Sequence, residues 1–298
     1  MSQIDVVVEA IKVASRQFPL TTETLKSMRD QIRTKTDILL TYAAQTSSPD
    51  NCTVLQKTIG ILLALPSTTA GVAILLSLQA ENLPDAFINI FLLQSQSFFA
   101  IAANCKPQLI FAHKEAVIVA QKLTHLSQRA HQPKAVCRIL MQAALSSAPQ
   151  VSCMTPMHAL FLQTCISAKM YTLGADFLRK NEILGIDPNN TGLSALDYLT
   201  FFYYGGMCFV GVKDYITALD YLTQAIVLPA QAVSAVVVAS LKMARLVSLI
   251  EHGIAYEVPK YASNCVLRYS RQDMPVYDSI VKQFVANNAT ALSAAVEG

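Results

Sequence analysis

Seven cysteines, Cys52, Cys105, Cys137, Cys153, Cys165, Cys208 and Cys265, and five histidines, His113, His125, His131, His158 and His252, are the side chains of this sequence best suited to covalent or metal chemistry. A thiol beside an imidazole can act as a nucleophile with its base. Cys153 and His158 come nearest to that arrangement, because both fall in one segment that runs from a loop into a helix. Such a pair works only with a third group that orients the base and a backbone turn that presents the nucleophile. Neither a glycine-framed elbow nor a recognised cysteine signature surrounds Cys153, so both residues are read as structural. His125 and His131 stand six apart, on different faces of a helix and with no third ligand at a zinc spacing, which argues against a metal site. Tyr203-Tyr204-Gly205-Gly206 lies inside a helical run, where glycines serve close packing rather than phosphate binding. The expectation is a chain without catalytic residues, metal, cofactor or small-molecule substrate.

Composition points the same way. The cysteines are odd in number and scattered singly, the usage of a reducing compartment in which thiols are small buried apolar groups. Asp5 and Glu9 interrupt the first apolar run and no small-residue cleavage site follows, so no signal peptide is expected. In an intracellular chain the glycosylation patterns at Asn51, Asn189 and Asn288 carry no weight. Residues 59–78 hold no charge, but Pro66-Ser67-Thr68-Thr69 divides them into runs too short to span a bilayer, and Pro229 and Gln231 break 225–239. The net charge of +3 is spread without a basic block, so neither nucleic acid nor membrane is an expected partner. Only 14% of residues are charged, against about 25% in an ordinary soluble chain. So sparse a charge suggests a surface that other proteins cover.

The elements that must position these residues are helices. All twelve prolines fall at gaps in an apolar pattern of helical period, where a helix stops or restarts. The spacing predicts helices over 3–17, about 53–65 and 68–80, a pair opened by Pro84, and a longer helix opened by Pro107. Further helices follow over 134–145, 157–171, 173–184, 193–210, 215–228, 230–252, 259–269, 275–287 and 289–296. Val236-Val237-Val238 could suggest a strand, but Val233, Val237, Leu241, Ala244 and Val247 keep one stripe for more than three turns. No persuasive strand is expected anywhere. The fold class is all-α: a superhelical stack of antiparallel helix pairs, each burying its apolar face against its neighbours.

One hairpin organises the rest. Residues 198–210 and 215–228 form two amphipathic runs separated by a break at Gly211-Val212-Lys213-Asp214. Gly206 and Ala218 are placed where the two helices cross, and Phe202, Phe209, Leu222 and Ala225 fill the groove. Gly205, Gly206, Ala218, Leu222, Ala225 and Pro229 fall at or next to the small and closing positions of a tetratricopeptide-type repeat, which this stretch resembles. They are the expected structural site residues; partner-binding residues are not assigned.

The wording around the hairpin is narrower than a generic repeat. Tyr203-Tyr204-Gly205-Gly206-Met207, Gly211-Val212-Lys213-Asp214, Ala218-Leu219-Asp220-Tyr221, Gln224-Ala225-Ile226, Leu246-Val247-Ser248-Leu249-Ile250 and Val258-Pro259-Lys260-Tyr261 resemble the central segment of one family. That family is the third subunit of the COP-nine signalosome, of the class shared by proteasome-lid, signalosome and initiation-factor subunits. The likeness is strong over 195–269, fair back to Arg129 and faint before it, which suggests a division into 1–128 and 129–298. It implies a helical-repeat arm leading into a winged-helix module that is not reached by Gly298, either because the sequence is a shortened form or because the protein does without it. It also implies a non-catalytic scaffold in the cytoplasm and nucleus, bound to other signalosome subunits and supporting removal of Nedd-eight from cullin ligases. The alternative is a stand-alone helical-repeat adaptor or a proteasome-lid scaffold subunit.

Overall fold

The structure is a computed structural model that describes residues 8–9, 11–13, 59–60, 62–63, 69–81, 88–102, 104, 109–110, 112–150, 152–183, 185–272 and 274–297. The helices expected over 3–17 and 53–65 lie mostly outside the described residues. In chain order the elements are α1 (Thr69–Glu81), α2 (Ile88–Ala102), α3 (His113–Arg129), α4 (Pro133–Ser147), β1 (Cys153–Met154), α5 (Pro156–Ser167) and α6 (Tyr171–Lys180). They continue with β2 (Gly185–Ile186), α7 (Pro188–Thr191), α8 (Ala195–Gly211), α9 (Tyr215–Val227), α10 (Ala235–His252), α11 (Asn264–Gln272), α12 (Pro275–Val285) and α13 (Ala289–Glu297). The all-α stack read from periodicity is the observed fold.

Packing divides the chain into two compact units, residues 1–160 with 184–192 and residues 161–183 with 193–298. This is a partition by contact and differs from the 128/129 division drawn from family likeness. In the first unit α1 packs on α3 and α2 on α4. From Thr69 to Ser77 every residue of α1 is buried, as expected where Ala70 to Leu76 are apolar or glycine on every side of the helix. Phe91, Phe98 and Phe99 of α2, Val119 and Leu123 of α3, and Val136 and Leu140 of α4 complete this core. A two-residue parallel bridge, β1 with β2, is the one strand pairing among the described residues. It is seated by Gly185, whose amide donates to the Ser152 carbonyl at 2.9 Å. Two residues are too few for any alternation of side chains to announce a strand in sequence.

In the second unit α8 touches α6, α9 and α10, α10 touches α12, and α12 pairs with α13. Local chemistry fixes the helix starts. Ser194 and Asp197 form a reciprocal capping box on α8, with the Asp197 amide donating to Ser194 Oγ at 3.2 Å and the Ser194 amide to Asp197 Oδ2 at 3.0 Å. Ser234 caps α10 through the Val237 amide at 3.3 Å, so the helix expected from residue 230 begins at Ala235. The helix expected over 259–269 likewise begins late, at Asn264. Just before it the Ser263 hydroxyl accepts from the Ala230 amide at 2.9 Å, and the Tyr256 hydroxyl lies 2.9 Å from Thr223 Oγ1 of α9.

Four of the links between consecutive helices are built alike. His131, Lys169, Lys213 and Asn287 each adopt positive φ, between 52 and 64°. In each turn the amide of that residue donates to the carbonyl three residues back, and the next amide donates five residues back, for example Lys213 to Val210 and Asp214 to Phe209, both at 3.0 Å. These are the paired bonds of a Schellman motif. The residue after the left-handed one, respectively Gln132, Met170, Asp214 and Asn288, immediately precedes the next helix. Glycines are left-handed at two further helix ends, Gly192 after α7 and Gly253 after α10. Within the break read at Gly211-Val212-Lys213-Asp214, Gly211 is still the last helical residue of α8, and the chain reverses at Lys213. Left-handed geometry costs a side-chain-bearing residue about 1 kcal/mol. Lys213→Gly is expected to raise stability by roughly 0.5–1 kcal/mol, measured as a shift of the denaturant midpoint at unchanged slope.

Candidate functional site

Helix α8 carries three glycines, and each marks a different close approach. A Cβ on Gly206 would come within 2.9 Å of Leu222 Cγ and 3.3 Å of the Ala218 carbonyl oxygen on α9. One on Gly205 would meet the Tyr221 ring at 2.7 Å and Leu178 of α6 at 3.2 Å. On Gly211 it would lie 2.3 Å from Tyr171 Cγ, at the start of α6. The approach is reciprocal, since a Cβ on Gly174 of α6 would fall 2.6 Å from Cys208 Sγ of α8. The absence of side-chain atoms thus sets how near α6 and α9 lie to α8. Ala218, Leu222 and Ala225 are fully buried in this contact, whereas Pro229 is exposed beyond the end of α9.

Aromatic rings surround the crossing. Phe201 is buried, and Phe202 is half-buried against it at 5.1 Å with near-perpendicular planes. Tyr221 of α9 lies 5.5 Å from Phe202 and 5.1 Å from Phe209, spacings typical of favourable ring pairs. Burial pushes the phenols of Tyr198, Tyr203, Tyr204 and Tyr221 above their ordinary range, so they stay neutral donors. At the turn itself Arg179 of α6 donates to Asp214 Oδ2 at 2.8 Å and lies 5.5 Å from the centre of the Phe209 ring. The hydrogen bond from Arg179, followed by that from Thr217, holds the Asp214 carboxyl below the usual carboxylate range. Asp214 therefore caps α9 and joins it to α6 at once. Sequence reading missed Gly174 and Arg179, because their partners lie 34 and 35 positions away.

The segment of Cys153 and His158 is polar but built for packing. The Thr155 amide donates to His158 Nδ1 at 3.1 Å, Thr155 Oγ1 lies 2.9 Å from the same nitrogen, and Ser147 Oγ continues the chain at 3.3 Å. With Nδ1 accepting, the ring is neutral, and burial pushes its pKa down to about 4. The Cys153 thiol is pushed up, chiefly by burial, the opposite of what a thiolate nucleophile requires. His125 and His131 lie on the last turns of α3 and just beyond it, and no three His, Cys, Asp or Glu side chains converge among the described residues. No helix of the described residues is long and apolar enough to cross a membrane.

Antiparallel helix pairs joined by a recurrent turn and wedged together at glycines define a helical-repeat protein. The family described as "COP9 signalosome complex subunit 3, N-terminal helical repeats" matches residues 22–266, and the chain belongs to that family. A COP9 signalosome complex subunit 3 of Dictyostelium discoideum is 29% identical over 203 residues, covering 67% of this chain and 48% of the relative. One of Arabidopsis thaliana is 34% identical over 116 residues, covering 39% of this chain and 25% of the relative. The chain thus matches at most about half the length of these curated relatives.

Two measurements test the site. Gly206→Leu drives a large side chain into Leu222 and the Ala218 carbonyl; such overpacking costs ~1–3 kcal/mol or more, while replacing glycine in a helix returns only ~1 kcal/mol. A net loss is expected, and an unchanged melting temperature would contradict the crossing. For His158, the unfolded ring takes up a proton near pH 6.5 and the folded ring only near 4. Its contribution is therefore complete above pH 6.5 and lost as pH falls toward 4, about 3 kcal/mol in all. Denaturation of wild type and His158→Gln at several pH values should show the steeper acid loss in the wild type alone.

Proposed function

We propose that the chain is a non-catalytic scaffold subunit of the COP9 signalosome, acting in the cytoplasm and nucleus and supporting removal of Nedd-eight from cullin-RING ligases. The observation that carries this reading is the family match over residues 22–266, which includes the whole α8–α9 crossing. Helical-repeat stacks present extended surfaces to partners rather than enclosed sites, which suits such a role. Exposed apolar side chains fit it as well: Leu93 is 69% exposed, Ile216 60% and Ile250 62%, in a chain of only 14% charged residues. Partners here are other signalosome subunits, with no nucleic acid, membrane or small-molecule substrate.

Purification of the tagged chain from native cells, followed by mass spectrometry, tests the reading. A stoichiometric set of helical subunits together with a metalloprotease is expected, and a single unrelated client would replace this reading with an adaptor. The chain purified alone is expected to show no deneddylating or proteolytic turnover. Turnover that survives stringent purification and disappears in Cys153→Ser would overturn the non-catalytic assignment.

A further inference from the structure

A cleft of about 680 Å³ opens among α10, α11, α12 and the loop that follows α10. Its volume falls within the ~300–1,000 Å³ typical of sites that hold a ligand or a short peptide. One wall holds Arg245, buried and already engaged: its guanidinium donates to Asp278 of α12, to the Ser270 carbonyl and to Ser270 Oγ at 3.2 Å. The rim is different. Lys260 and Arg271 are exposed and have no ion-pair partner among the described residues, with half-buried Val258 and Leu267 also in the lining. Two carboxylates share it, Asp278, which Arg245 neutralises, and Glu257, which balances one of the two rim cations. The lining retains a net positive charge.

We propose that this cleft is a docking site for an acidic peptide segment of a partner protein, one that carries apolar side chains between its carboxylates. Charge selects the sign of the partner: Lys260 and Arg271 attract and orient carboxylates at the rim. Val258 and Leu267 give the intervening side chains apolar surface to cover. The same features argue against a small free anion, which needs converging buried donors. The buried donor here, Arg245, is already bound to Asp278 and Ser270. The site is independent of the assembly reading, since a chain that captured such a peptide yet copurified with no signalosome subunit would retain the one and lose the other.

The probe is a fluorescein-labelled peptide of alternating Glu and Leu, followed by anisotropy with the whole purified chain, beside its Lys/Leu analogue. Binding of the Glu/Leu peptide alone is expected, weakened by salt and reduced about tenfold or more in the double variant Lys260→Glu with Arg271→Glu. Both positions are exposed, so the variant should melt as the wild type does, and a circular dichroism melt verifies it. Leu267→Ser should also weaken binding, without changing its salt dependence. Equal binding by the double variant, or equal binding of the Lys/Leu peptide, would overturn the proposal. Displacement by inorganic phosphate beyond the effect of matched ionic strength would overturn it in favour of a small-anion site.

Discussion

The contact on which the second unit depends is made by atoms that are not there. At Gly205, Gly206 and Gly211, helix α8 presents bare backbone to Tyr221, Leu222 and Tyr171, and Gly174 returns the same courtesy to Cys208. Interiors packed to crystal density leave no slack for a methyl group at such distances. Because α8 touches α6, α9 and α10, a displacement at any of these glycines is passed to the helices around it. Glycine weakens a helix by ~1 kcal/mol relative to alanine, so α8 is helical because its neighbours are in place more than through its own propensity.

Polar groups then set direction where the glycines set distance. Asp214 caps α9 and accepts from Arg179 of α6, so a single carboxylate ties α6 and α9 to the turn that follows α8. The left-handed residues at His131, Lys169, Lys213 and Asn287 reverse the chain with backbone bonds alone. Each is followed by a residue that belongs to the end of one helix and the start of the next, which leaves the two helices of a hairpin almost no freedom in how they pair.

Much of this was legible in the sequence, and the misses have physical causes. Proline positions and apolar period gave the helices because both act within a few residues. Pro133, at the first position of α4, marks its start as read. The crossing of Gly206 with Ala218 and Leu222 was readable because the hairpin is local. The break over 211–214 was legible as well, but a left-handed lysine leaves no compositional trace, so Lys213 did not stand out within it. Likewise Gly174 and Arg179 act through residues more than a full repeat away. The delayed start of α10 reflects Ser234, whose cap sets a helix boundary without altering periodicity.

Helix α12 lacks the buried apolar face of α8, for none of its residues is buried. It rests on α10 through two cations one turn apart, Arg245 with Asp278 and Lys242 over the Tyr277 ring at 5.6 Å. Little apolar area is lost when such an element lifts away, so its opening free energy is set by a few polar contacts rather than by a core. In hydrogen exchange the amides of α12 are expected to form a separate, low-energy opening unit, and those of α8 to exchange only with the unit as a whole. Ionic strength, which leaves buried apolar packing almost untouched, acts on the first of these and not on the second.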